Sequence, residues 1–460
     1  VLTELEDRGL LGWDKRANRY DLHPIVRGVV WQALDGRSRQ GIFTELHTYF
    51  DAAPKTVYDD VKSLEDLTPT IELYSTLIGL DRFEDAFTVF RHHLERATLY
   101  RLSASRQRVE LVERLFPDGV DELPQLESTR DQSYTLNTLA QAYQLGGEPG
   151  RAVPLYRRAV EIDEREDFAG GAAVKLCNLS EALRHSGALR EAEAAARRGL
   201  RLSLEEDADY PKGGSLYLLG LALAACGNEA DSEIALRRSL ALWQDQSNQQ
   251  GEGHVNAWLA QRLLWLHQPG AAVPPAGRAW ELAHVRRHER DFIRSARLQG
   301  AASLGIGDLE TAAERLQHTL TRSRAVNLVE EELPALAGLA ELHRRNQQFS
   351  AARDLLDQVW DLAERGPYPH WHADALNVLA QIERDQGNHG AAIAAAEKAC
   401  RLAWCDGPPY AYAYALTNAR EHLQALNAPE PDLPPFDESR FEPMPDVDFN
   451  PKDEFHVTLK

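Results

Sequence analysis

Catalysis needs particular residue types at particular spacings, and this chain offers few of them. No G-x-S-x-G, H-E-x-x-H, Rossmann glycine fingerprint or G-x-x-x-x-G-K-[ST] phosphate loop occurs. Gly146-Gly147-Glu148-Pro149-Gly150 is glycine-rich but lacks the Lys and hydroxyl that would meet phosphate and Mg²⁺. His370-Trp371-His372 carries two imidazoles with no carboxylate at helical spacing, and reads as a loop-to-helix junction, as does His92-His93. Cys177, Cys226 and the pair Cys400/Cys405 lack zinc-site spacing and read as buried thiols. The chain is therefore expected to hold no catalytic constellation, metal or cofactor of its own. The chemistry left is recognition, and the residues that stand out for it are Arg294, Arg297, Arg344, Arg345 and Arg384, whose forks pair with carboxylate or phosphate.

The elements that must position them show themselves as a repeat. Ala152, Ala192, Ser232, Ala272, Ala312, Ala352 and Ala392 follow one another at steps of 40 residues. Four positions after each anchor stand Tyr156, Ala196, Leu236, Ala276, Leu316, Leu356 and Ala396. Three further on stand Ala159, Gly199, Ser239, Ala279, Thr319, Val359 and Ala399. Offsets of four and three mark one face of an α-helix. Thirteen residues before the anchors, Leu139, Leu179, Leu219, Leu259, Gln299, Leu339 and Leu379 mark a second helix. Gly147, Gly187, Gly227, Gly307 and Gly387 recur between the two, where a left-handed residue ends a helix, with His267 and Gln347 in their place in two repeats.

The phrase Leu139-Ala140-x-x-Tyr143, Gly147, Ala152, Tyr156, Ala159 resembles the tetratricopeptide (TPR) repeat. The resemblance implies an all-α fold, a right-handed superhelix of antiparallel helix pairs. The usual period is about 34 residues, so the longer one here implies longer helices or loops. Seven such pairs are expected over residues 131–405. Residues 34–130 read as linker helices and one divergent pair, at 73–80 and 81–94, with a further helix at 104–116. Residues 406–427 supply a capping helix, which terminal repeats need.

In a TPR superhelix the first helix of each pair lines the concave face. The resemblance places there Tyr134, Asn137, Gln141 and Gln144, then Glu181 and Arg184, Tyr217, His254 and Gln261. Next come Arg294 and Arg297, Glu341 and Arg344 with Arg345 beside them, and Asp374, Asn377, Gln381 and Arg384. The Asn, Gln and Tyr end suits a peptide main chain. The arginine end is open to two readings: pairing within the molecule, with Glu341, Asp374 and neighbouring acids, or a site for an acidic ligand or the chain's own acidic tail. Asn178 alone is too little for the Lys/Asn clamp of chaperone-tail carboxylates.

The two ends differ from the repeats. Residues 1–11 read as a helix, residues 12–22 alternate like a small hairpin, and His23-Pro24 opens another helix. Leu5-Glu6-Asp7-Arg8-Gly9-Leu10-Leu11 with Arg19-Tyr20-Asp21-Leu22-His23-Pro24 resembles the end of the winged helix that closes the nucleotide-binding module of STAND signal-transducing ATPases. Residues 1–33 are thus expected to be the C-terminal part of a winged-helix domain. In that family a Met-His-Asp triplet sits here and its His reaches the β-phosphate of ADP. Leu22-His23-Pro24 keeps the His and departs at both neighbours. His23 is accordingly a cofactor contact only in a longer protein carrying the ATPase, where ADP or ATP would bind. At the other end, residues 428–460 carry seven prolines and nine acids, which forbid a long helix, yet Phe436, Phe441, Met444, Val447 and Phe449 recur. An extended segment docked along the solenoid is expected over a solvated tail, and the arginine-lined groove is one place open to it.

The chain opens at Val1 inside a helical pattern and its one methionine is Met444, so it reads as part of something longer. The expected function is the ligand- or protein-sensing arm of a STAND-type ATPase, with a protein or peptide on the concave face and the nucleotide-binding domain upstream in cis. The alternatives are a stand-alone TPR scaffold and the regulatory module of a larger enzyme. A formal charge of −20 argues against nucleic-acid and anionic-membrane partners, and with no signal peptide the expected location is cytoplasmic.

Overall fold

The computed structural model describes residues 33–450, together with residues 29 and 31 and the backbone of two strands at 11–14 and 19–22. The chain divides into two compact units, residues 1–96 and 97–460. The division falls inside the segment read as linker. His23, the helix expected at 1–11 and residues 451–460 lie outside the described residues.

In the first unit, β1 (Leu11–Asp14) and β2 (Arg19–Leu22) form an antiparallel ladder that pairs Leu11 with Leu22 and Trp13 with Tyr20. The alternation across residues 12–22 thus shows as two paired strands, residues 15–18 lying outside the described residues. Helix α1 (Gly36–Ala52) is capped by Asp35, which accepts from the Ser38 amide at 2.7 Å. The divergent pair is α2 (Thr68–Gly79) and α3 (Phe83–Val89), joined through Asp81 at φ 57°. Leu73, Tyr74 and Leu77 are buried on α2, and Phe83, Ala86 and Phe87 on α3.

The second unit starts with a wide turn at Ala97–Arg101 and α4 (Ser105–Val112), followed by the repeat array. Its pairs are α5 (Thr129–Leu145) with α6 (Pro149–Arg165), α7 (Ala169–His185) with α8 (Leu189–Glu205), and α9 (Asp209–Ala225) with α10 (Glu229–Asp245). Then come α11 (Gln249–Trp265) with α12 (Pro269–Arg286), and α13 (Glu289–Ile306) with α14 (Leu309–Val326). The last are α15 (Val329–Arg345) with α16 (Phe349–Arg365) and α17 (Pro369–Asp385) with α18 (His389–Ala403). Helix α19 (Ala413–Ala425) caps the end.

Each helix packs on the next, and each first helix on the first helix of the following pair. All seven anchors, Ala152 to Ala392, are fully buried. Small residues bring the backbones close enough for hydroxyls to reach carbonyls across helices. Ser180 donates to Ala192 O at 2.7 Å and Ser232 to Gly220 O at 2.7 Å. Every twentieth residue from 147 to 347 has positive φ, in the turns within pairs and also in those between them. His267 and Gln347 adopt the conformation that Gly holds elsewhere, and Asp167, Asp207, Ser247, Arg287 and Asn327 serve between pairs. Through the sixth pair's first helix, the 40-residue period is therefore two helices of 17 or 18 residues with a left-handed stop after each.

The array coils tightly enough to meet itself. Asn327 Nδ2 donates to Gly146 O at 3.0 Å across 181 residues. Gly147 faces Val329, and a Cβ there would stand 2.7 Å from Val329 Cγ2. Gly187 faces Pro369, and the Arg190 amide donates to Asp406 at 3.0 Å. Gly227 faces Ala413, and Trp265 stacks on Tyr414 at 5.0 Å. A seam thus ties the first pair to the sixth, the second to the seventh and the third to the cap.

The tail is extended through residue 450, apart from one turn at Glu438–Arg440. It lies on the second helices, not on the arginines of α13 and α15. Arg190 donates to Glu442 O at 2.8 Å, Arg238 to Phe449 O, and Trp404 Nε1 to Pro434 O at 2.7 Å. Val447 and Phe449 pack on the Leu200–Leu216 cluster. Through residue 450 the tail is thus docked along the solenoid, and the arginine groove left open to it is not where it lies.

Candidate ligand site

Coiling fills most of the concave side with the array's own side chains. Arg294 is 3% exposed, with Nε on Glu331 at 2.6 Å and Nη2 on Glu330 at 2.7 Å. Arg297 reaches the other Glu331 oxygen at 2.5 Å and Gln261 Oε1 at 3.0 Å. Arg290 joins Glu330 at 2.8 Å to Glu181 at 3.1 Å, so the second pair is tied to the fifth and sixth. Gln144 donates to Glu181 at 3.1 Å and accepts from Tyr156, while Arg184 lies deeper, on the His185 ring. Burial alone would raise the Glu330 carboxyl, but Arg290 and Arg294 outweigh it and hold it below the usual carboxylate range. Burial, then Arg184, push His185 down to about 3.

The remaining arginines of the sequence reading pair locally. Arg344 forks onto Glu341 and also reaches Asp385. Arg345 binds Glu341 and Leu304 O, both at 2.7 Å. Arg384 meets the His422 ring at 2.9 Å, Gln381 donates to Asp385, and Asn377 donates to Ala415 O. Asn137 accepts from Asn178 at 2.9 Å, and Tyr134 sits half-buried beside it on α5. Glu341 does pair with an arginine. Asp374 instead accepts from the Tyr412 hydroxyl at 3.0 Å.

One part of the concave side stays open. A cavity of about 150 Å³ lies where α5, α7, α9, α11 and the first turn of α13 converge. Gln141, Tyr217 and His254 line it, as their spacing on the first helices suggests. Tyr210 and Trp243 form an apolar wall, with rings 5.5 Å apart and edge to face. Trp243 is seated by two glycines: a Cβ on Gly213 or Gly251 would stand 2.5 Å from its ring. The polar end holds Asn178, the Glu181–Arg290 pair and the His254–Asp291–His288 cluster. Asp291 meets His254 Nε2 at 2.8 Å and His288 Nδ1 at 3.3 Å. Burial would raise its carboxyl, but the two rings hold it well below the usual range. Burial, then the charge on Glu181, push the Tyr217 phenol up, so it stays a neutral donor. Cys177 sits against Ser215 Oγ at 3.2 Å with its thiol pushed up to about 11 by burial, which makes it a wall and not a nucleophile.

Several of these residues escape the sequence reading. Tyr100 comes from the turn before the array and stacks on His288 at 4.9 Å, where no repeat offset points. Trp243 belongs to a second helix. His288, Arg290 and Asp291 stand about one turn ahead of the offsets used to mark the concave face.

The geometry above has a family counterpart. Residues 331–403 match the family model for the tetratricopeptide repeat. The match spans the last two TPR pairs, and the five TPR-like pairs before it, with helices of 17 or 18 residues, pack on their neighbours in the same order. No curated protein matches the sequence. Among solved structures, a Rap protein complexed with competence and sporulation factor is 13% identical, with 72% of this chain and 98% of that chain covered at TM-score 0.48. A STAND protein with a TPR sensor from Pyrococcus horikoshii is 13% identical, with 84% and 55% covered at TM-score 0.42. A Rap conjugation gene regulator of the plasmid pLS20, in complex with the Phr* peptide, is 15% identical, with 72% and 96% covered at TM-score 0.45. Among the described residues no helix is long and apolar enough to cross a membrane.

Proposed function

We propose that this TPR array is the ligand-sensing arm of a STAND-type signalling ATPase, and that it recognises one anchor residue of a peptide or protein in the cavity. The observation that carries the reading is shared membership: Glu181 and Arg290 line the cavity and also belong to the ion network that closes the coil. A ligand that touches this pair acts on contacts between the second, fifth and sixth repeats. Binding can then favour one coil geometry over another, by no more than its differential affinity for the two. A volume of about 150 Å³ matches a dry cavity that accepts benzene, so it admits one side chain and not a folded surface. The aromatic wall suits an apolar body, while Tyr217, Asn178 and Gln141 suit an amide. No catalytic step is assigned to the array. The ATPase, its ADP or ATP and the His23 contact belong to a domain upstream in cis. Neither nucleic acid nor membrane is a partner in this reading, and the location is cytoplasmic.

The test is a random-peptide selection on the array, repeated with Tyr217→Ala and Gly214→Leu. Gly214 lines the cavity, and a Cβ there meets just Cys177 Sγ, at 3.4 Å, so a side chain can start there without a clash at its first carbon. Peptides that bind the unaltered protein and lose at least about tenfold in affinity for both variants support the cavity. Peptides indifferent to both place recognition elsewhere.

A further inference from the structure

One buried arginine of the coil has no carboxylate of its own. Glu181, Glu330 and Glu331 lie among Arg184, Arg290, Arg294 and Arg297. Arg290, Arg294 and Arg297 each sit on a carboxylate. Arg184 does not. It is 3% exposed, its Nη2 meets the His185 ring at 2.8 Å, and its Nε has no acceptor among the described residues. His185 cannot stand in for an anion, since it is neutral at ordinary pH.

Beside this guanidinium lies Trp258, its ring centre 4.9 Å from the Arg184 carbon and 5.0 Å from that of Arg294. Trp258 is 3% exposed, and its Nε1–H also lacks an acceptor among the described residues. A buried donor without an acceptor and a buried charge without a partner are each unfavourable. Here the two residues are adjacent: the N–H calls for an acceptor and the guanidinium for a negative charge, and an anion is both. The other acids nearby are engaged, Asp291 with two histidines and Asp374 with Tyr412.

We propose that Arg184 and Trp258 form a subsite for a small monovalent anion, a halide or a carboxylate group, held by the Arg184 Nε–H and the Trp258 Nε1–H. The subsite does not rest on the cavity reading. A cation is the poorer occupant. Ligand atoms of Glu181, His185 and Glu330 do lie within 4.8 Å of one another. Those carboxylates, however, already hold Arg290 and Arg294, and the His185 nitrogen is bonded to Arg184.

The test compares melting temperatures of the full chain in sodium chloride, bromide and acetate with that in gluconate, an anion of equal charge but too large to enter, all at one ionic strength. The expected result is a rise of a few degrees over gluconate that vanishes in Arg184→Gln and in Trp258→Phe. The second variant keeps an aromatic ring beside Arg184 but removes the N–H together with the pyrrole part of the indole. A rise with halides alone assigns a halide site, and a rise with acetate as well assigns a carboxylate site. Equal melting in every salt, or a rise that survives both substitutions, overturns the proposal. Should Arg184→Gln fail to fold, Trp258→Phe carries the comparison. Bromide anomalous scattering from crystals of the unaltered protein then shows the ion beside Arg184, or its absence overturns the assignment.

Discussion

At Arg294 a concave-face arginine becomes part of the interior, gripped by Glu330 and Glu331 of the next repeat. The spacing on α13 announces the arginine. It does not announce the partners, because the glutamates sit in the first turn of α15, where acids are ordinary in any helix. Glu331→Ala strands Arg297 and takes from Arg294 one of its two carboxylates, and should cost about 3–5 kcal/mol in urea unfolding, while Arg345→Ala on the surface should cost under about 1 kcal/mol. Two carboxyls should give pH effects of opposite sign. Glu330 is held below its ordinary value of 4.5, so its contribution is full above about 4.5 and is lost as the pH falls below it. Asp374 is pushed up to about 7 by burial, with the Tyr412 hydroxyl only partly offsetting this. Its carboxyl therefore favours folding most below about 4, and that advantage is lost as the pH rises through 7. Asp374→Asn should raise the melting temperature at pH 8 and leave it nearly unchanged at pH 4. Burial also pushes the Cys177 and Cys400 thiols to about 11 and Cys405 to about 12. A thiol reagent at pH 8 should thus find them slow in native protein and fast in denaturant.

Helices were the most legible elements, since seven anchors at one spacing mark both members of each pair. The turns between pairs were not, because Asp167, Asp207, Ser247, Arg287 and Asn327 are of four different residue types, although they share a left-handed backbone. Gln347 sits in that conformation at φ 59°, where a side chain strains the turn. Gln347→Gly should therefore stabilise the array by up to about 1 kcal/mol, less what glycine loses in chain entropy, as calorimetry would show. Gly251→Ala is the opposite case. Its new methyl meets the Trp243 ring, and the overpacking should cost about 1–3 kcal/mol and distort the cavity wall, visible as a shift in tryptophan fluorescence.

On the scale of the second unit, the property least visible in the sequence is that it meets itself. A repeat pattern describes nearest neighbours, whereas the pairing of Asn327 with Gly146 depends on a small rotation per repeat added up over 181 residues. The same sum explains why the tail reaches Arg190 and Arg238 rather than the arginines of α13 and α15: the segment after the last pair lands beside the second and third pairs. Deleting residues 428–460 should lower the melting temperature and speed amide exchange in α8 and α10, with α13 and α15 unaffected. Faster exchange in α13 alone would contradict the docking seen here. The seam also has a mechanical consequence. An open solenoid pulled from its ends stretches like a soft spring, each repeat yielding a little. A coil whose successive turns are fastened to each other bears the load on its fasteners first, so its force–extension trace should begin stiff and then give way in discrete steps, one fastened pair at a time.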